Sequence, residues 1–201
     1  MKKYGILLIV VFLAFGCAMN RTNVPDNGYE EWLSTCKDYK DVAKWMSQNL
    51  VYDDKKFEYY WNHTIPLFLQ GKIGTEKLIL TQSPEETFKL KLGVCNDGAV
   101  FAKHSLNRIN PDYKAEIIYI GIKGKFAHYQ CGFFVDGKLY VIDYTSGLKE
   151  KSFQVEGTHG PFKDLKEYEN VFCRMHPLAK PRLDKIHFGW SEFTNPENRK
   201  W

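Results

Sequence analysis

Cys95, His128 and Asp143 are a thiol, an imidazole and a carboxylate in the chain order of a nucleophile, its acid/base partner and the group that orients that partner. Together they could carry acyl transfer. Cys95 lies in Gly93-Val94-Cys95-Asn96-Asp97-Gly98-Ala99, and apolar residues then recur at Ala99, Ala102, Leu106 and Ile109. That spacing predicts a helix with one buried stripe. Cys95 falls on its first turn, where unpaired backbone N–H groups and the positive end of the helix dipole favour a thiolate. Upstream, Ser83-Pro84-Glu85-Glu86 reads as a helix start, with Ser as N-cap, Pro at the first helical position and Glu reaching back to the cap amide. Gly93 is expected to stop that helix.

Ala127 to Val135 and Lys138 to Thr145 are β-rich runs joined by Asp136-Gly137, a strong hairpin signal. A two-residue turn pairs Val135 with Lys138, so His128 faces Thr145 and Gln130 faces Asp143. Side chains alternate along a strand, which sends His128, Gln130, Asp143 and Thr145 to one face. His128 and Asp143 are then diagonal neighbours, about 7 to 8 Å apart at the backbone and within side-chain reach. The same register turns Cys131, Phe133, Ile142 and Tyr144 to the other face, so Cys131 is expected to pack and not to react. A carboxylate beside the imidazole fixes its tautomer and stabilises the imidazolium, which in turn supports an ionised thiol.

These residues resemble the transglutaminase-like superfamily of papain-like cysteine enzymes. The resemblance rests on Gly93-Val94-Cys95 through Ala99, on His128 in a strand, and on Asp143-Tyr144-Thr145 at the end of the next strand. The run Val42-Ala43-Lys44-Trp45-Met46 through Asn49-Leu50-Val51-Tyr52 is similar to the helix that usually opens the domain. It covers about residues 38 to 147. It implies an α+β papain-like fold, with the Cys95 helix packed on an antiparallel sheet that carries His128 and Asp143. It further implies Cys95 as nucleophile, His128 as general acid/base and Asp143 as its orienter, acting on a protein or peptide amide. Hydrolysis would make it a peptidase or amidase, and transfer to an amine a crosslinker. The family's His is often followed by a small residue and Trp, whereas Tyr129 and Gln130 follow here, a departure that bears on substrate specificity. The Cys95 backbone N–H is one expected oxyanion donor, and Tyr52, Trp61 and Gln82 are the candidates for the second. The competing reading is a non-catalytic peptide- or envelope-binding lipoprotein on the same fold.

The remaining sequence sets the frame for this chemistry. Tyr29, Trp32, Leu33 and Cys36, then Val42, Trp45, Met46, Asn49 and Leu50, recur at helical spacing and predict one long or two short helices. Tyr52 to Phe68 is aromatic and irregular, and Ala115 to Ile122 reads as a buried strand. The expected catalytic core spans residues 29–147. Residues 148–201 read as a loop-rich extension packed on that core, with a helix near Lys163 to Cys173. No Cys-x-x-Cys or His-Glu-x-x-His spacing occurs, so the sequence supports neither a metal nor another cofactor. His63, His104, His159, His176 and His187 lack ligand spacing and read as surface or polar-core residues. A formal net charge of +4, without a basic stripe interleaved with aromatics, gives no case for nucleic acid.

Met1-Lys2-Lys3 and the apolar run from Gly5 to Phe15 have the charged start and short apolar core of a secretory signal peptide over residues 1–16. Ala14-Phe15-Gly16-Cys17 resembles a bacterial lipobox. Cys17 is thus the expected lipidation site, and residues 17–28 form a tether to a membrane at the cell envelope. Removal of the signal leaves about 185 residues, enough for one domain, with a net charge of +2 because Lys2 and Lys3 leave. Cys36, Cys131 and Cys173 then allow at most one disulfide. Mass spectrometry of the N-terminal peptide should show an acylated Cys17, and Cys17→Ser should release the protein from the membrane fraction or block its processing. An unlipidated wild-type N-terminus with unchanged fractionation of Cys17→Ser would defeat this expectation.

Overall fold

The computed structural model describes residues 28–72, 81–122, 126–143, 157–175 and 186–190. The signal segment, Cys17, nearly all of the tether, and Tyr144 and Thr145 lie outside the described residues. Two short helices open the domain, α1 (Tyr29–Thr35) and α2 (Tyr39–Asn49). The break between them is local: the Asp38 carboxylate caps α2 by accepting from the Lys40 amide at 2.7 Å. Strand β1 (Val51–Tyr52) follows, and then the aromatic stretch expected to be irregular turns out to be helical. It forms α3 (Asp54–Tyr59), a π-helical turn over Tyr60–Thr64, and α4 (Ile65–Leu69). Its start has a clear cause, since the Asp53 side chain accepts from the Lys56 amide at 2.9 Å.

Helix α5 (Pro84–Leu90) carries the full capping box that its sequence predicts, with Ser83 and Glu86 bonded reciprocally at 3.1 Å. Its stop differs from expectation. Lys91, in the left-handed region at φ 52°, ends the helix, and Gly93 belongs instead to β2 (Leu92–Gly93), paired in parallel with β1. Gly93 is needed for closeness, because a Cβ there would meet the Asp97 Cβ at 2.8 Å. Helix α6 (Cys95–Ile109) then starts directly at Cys95.

Strands β3 (Glu116–Ile122), β4 (Phe126–Val135), β5 (Lys138–Ile142), β6 (Thr158–Phe162) and β7 (Ile186–Trp190) form one antiparallel sheet in the order β6-β5-β4-β3-β7. The β4–β5 register is the predicted one, Val135 against Lys138 through Cys131 against Ile142, around a turn with Asp136 and Gly137 at positive φ. The C-terminal segment differs from a layer packed on a finished core. Its strands β6 and β7 form the two edges of the sheet, and its helix α7 (Leu165–Met175) covers one face. No helix among the described residues is long and apolar enough to cross a membrane.

Each face of the sheet has its own core. On one, α1, α2, α5 and α6 pack against Cys131, Phe133 and Ile142. Trp45 stacks between Phe88 and Phe101 with centroids 4.8 Å from each, and the Tyr29 hydroxyl shares hydrogen bonds with His104 and Ser105 at 2.9 Å. On the other face, Tyr168, Phe172 and Cys173 of α7 close over Ile118, Ile120, Leu139 and Val141. The first cluster ties α6 to the sheet, and Phe101 is its fully buried link. Phe101→Ala should cost about 3–5 kcal/mol in a denaturant titration; a loss below about 1 kcal/mol would show that the aromatic cluster does not anchor α6.

Candidate active site

Helix α6 has no side-chain cap at Val94, so its first amides need another acceptor. Asp97 supplies it. The carboxylate, with no side-chain exposure, accepts from the Val94 amide at 2.8 Å and from Lys56 Nζ at 2.7 Å through Oδ2, and from the Gln82 amide at 2.8 Å through Oδ1. A buried carboxylate so paired ties two other segments to the turn that carries Cys95, the residues before α5 and the start of α3. The Asp53 amide adds a bond to the Gly93 carbonyl at 3.0 Å.

His128 and Asp143 meet as the hairpin register predicts. Nε2 of His128 lies 2.9 Å from Oδ2 of Asp143, whose side chain is 1% exposed. The Cys95 side chain lies close enough to the imidazole to act on its charge. Burial pulls the pKa of His128 down, but the charge and hydrogen bond of Asp143, joined by Cys95, outweigh it and raise it to about 10. The Asp143 charge therefore favours the imidazolium form of His128. Burial, with Asp41 adding to it, pushes Cys36 up to about 12, and burial also raises Cys131 and Cys173. Cys131 packs in the core, as its face predicts, and all four described cysteines are free thiols.

A family model described as a transglutaminase-like domain matches residues 32–171. The chain belongs to that family. The match extends past the hairpin into α7, so the transglutaminase-like domain includes part of the C-terminal segment. No curated protein matches the chain. A solved structure described as the crystal structure of a TGase is 13% identical, with 62% of this chain and 31% of that chain covered and a TM-score of 0.35. This transglutaminase-like chain therefore spans about a third of that structure's length.

The three candidates for a second oxyanion donor separate. Tyr52 lies within electrostatic reach of Cys95, Asp97 and Asp143; burial first, then these charges and that of Asp54, hold its phenol well above the ordinary range. Its hydroxyl thus keeps its proton. Trp61 is 46% exposed and stacks on Phe57 with centroids 6.1 Å apart. Gln82 spends its amide on Asp97 and turns its side-chain oxygen to Thr87 Oγ1 at 3.3 Å. From sequence, Asp97, Lys56 and Tyr168 have no assigned role, and Gln130 has a face without one. Asp97 carries a signal, an acidic residue three positions after an N-cap. Lys56 carries none, because its partner is 41 positions away. Lys56→Met leaves the Asp97 charge buried and without its cation, and should destabilise the fold by about 3 kcal/mol in chemical denaturation. An unchanged midpoint would mean that the backbone amides alone hold the carboxylate.

Proposed function

We propose that the protein is a cysteine acyl-transfer enzyme of the cell envelope that attacks amides through Cys95, with hydrolysis as the main outcome. The observation that carries this reading is the 2.9 Å contact of His128 Nε2 with the buried Asp143 carboxylate, on an imidazole that interacts electrostatically with Cys95 on the first turn of α6. Its placement at the envelope rests on residues 1–17 alone.

In this mechanism Cys95 Sγ attacks the amide carbonyl carbon, and the carbonyl electron pair moves onto oxygen. The Cys95 backbone N–H, which as a first-turn amide has no intrahelical acceptor, donates to that oxyanion. Tyr52 is the second donor, since it is the candidate held near Cys95 with its proton in place. Collapse of the intermediate breaks the C–N bond, and the imidazolium of His128 gives its proton to the departing amine. A thioester on Cys95 remains. His128 then takes a proton from water, or from an amine, as that nucleophile attacks the thioester, and thiolate departs to restore the ion pair. Asp143 stays ionised throughout and holds Nε2, leaving Nδ1 to exchange protons at the thiol.

Two probes test this. A p-nitrophenyl acyl ester reports acylation of Cys95 as a nitrophenolate burst, and a proteome-derived peptide pool reports amide cleavage. Acid-quenched wild type should carry the acyl group on Cys95 in peptide maps. Cys95→Ala and His128→Ala should abolish both signals, and Asp143→Asn should keep the fold and reduce turnover by roughly 10³–10⁴. Added primary amine should capture only a minor share of the acyl group. Turnover that survives Cys95→Ala would overturn the proposal; tight peptide binding with no acylation would favour the non-catalytic module.

A further inference from the structure

Helix α7 lies outside the segments that carry the three reactive groups, yet it reaches them through a chain of hydrogen bonds. Tyr168, fully buried, donates its hydroxyl proton to Oε1 of Gln130 at 2.8 Å. Gln130, also buried, donates from Nε2 to Oδ2 of Asp143 at 2.6 Å. That oxygen is the one bonded by His128. We propose that Tyr168 and Gln130 are positioning residues that fix and charge the Asp143 carboxylate for His128, so that the C-terminal helix completes the site. The inference rests on the reading of Cys95, His128 and Asp143 as the reacting set.

The two ends of the Gln130 amide have opposite capacities. Only its NH₂ end can donate to a carboxylate, and the Tyr168 hydroxyl holds the carbonyl end away from Asp143. Tyr168 is a dependable donor, because burial, reinforced by the charge of Asp143, pushes its phenol far above neutrality. It is also fixed in space, since its ring packs with Phe162 and Phe172 over the sheet. Asp143 sits where water has little access, so a lost donor is not replaced by solvent. A carboxylate that loses a donor takes a proton more readily and is freer to rotate away from the imidazole. Among the described residues, the titratable groups that Asp143 acts on are His128 from β4, Tyr52 from β1, His159 from β6 and Tyr168 from α7, and Cys95 from α6 faces it across His128. Burial lowers the pKa of His159, with Asp143 acting against it. His159 therefore supplies no cation at neutral pH to replace Gln130.

The test uses the whole protein with Tyr168→Phe, Gln130→Leu, Gln130→Glu and the Tyr168→Phe/Gln130→Leu pair. Each is followed by thermal unfolding, by kcat/KM with the p-nitrophenyl ester, and by Cys95 alkylation with iodoacetamide as a function of pH. Tyr168→Phe should lower kcat/KM about tenfold and move the acid limb of alkylation up by about one pH unit. Gln130→Leu should do at least as much, and the pair no more than Gln130→Leu alone, because Tyr168 acts through Gln130. Gln130→Glu keeps the acceptor for Tyr168 but puts an acid where the donor stood, so its acid limb should move furthest. Folded Tyr168→Phe protein with an unchanged acid limb, or fully additive effects in the pair, overturns the proposal. Alkylation needs no substrate, so a shifted acid limb in a protein that never turns over the ester separates loss of the reaction from loss of the positioning.

Discussion

The Asp97 carboxylate, buried without side-chain exposure, accepts from two backbone amides and one ammonium, and its removal from water makes those donors obligatory. They come from three stretches of chain: the residue before α6, the residue before the cap of α5, and the first turn of α3. One charge thus decides where α6 begins, and Cys95 stands at that beginning. Gly93 belongs to the same constraint, since a side chain there would occupy the space of Asp97. Tyr52 is drawn in as well, because β1 pairs with the strand that leads into α6.

The sheet performs a separate task by offering two faces to different partners. The period of two along β4 sends Cys131 and Phe133 toward the α6 cluster, while Gln130 meets Tyr168 of α7. The site lies where these layers meet, with its thiol from the helical layer, its imidazole from β4 and its carboxylate from the residue that follows β5. Burial raises the Cys36, Cys131 and Cys173 thiols, whereas Cys95 stands on the first turn of α6 beside His128.

Local patterns made much of this legible in sequence. The capping box at Ser83, the helical stripe after Cys95 and the Asp136-Gly137 turn are short-range signals, and a hairpin register follows from its turn by counting. The contact of His128 with Asp143 could therefore be placed from residue order alone. The aromatic run after Tyr52 was not legible, because its helix depends on the Asp53 cap and on a π-helical turn that breaks the usual periodicity. The stop at Lys91 in place of Gly93 has the same character, since a non-glycine residue in the left-handed region carries no compositional mark.

What the sequence determined by itself was the trio Cys95, His128 and Asp143, the helix that presents the thiol and the hairpin that joins the other two. All of these rest on contacts between residues a few positions apart or on a register propagated from one turn. Only the tertiary structure decided that Lys56 pairs with Asp97, that Tyr52 comes within electrostatic reach of Cys95, and that Tyr168 donates to Gln130. Those partners are separated by tens of residues, and their meeting depends on how whole layers dock. The same reason made β6, β7 and α7 part of the central architecture: edge pairing and face coverage are settled by the sheet they join, and even a helix legible in sequence, as α7 is, does not name the face it covers.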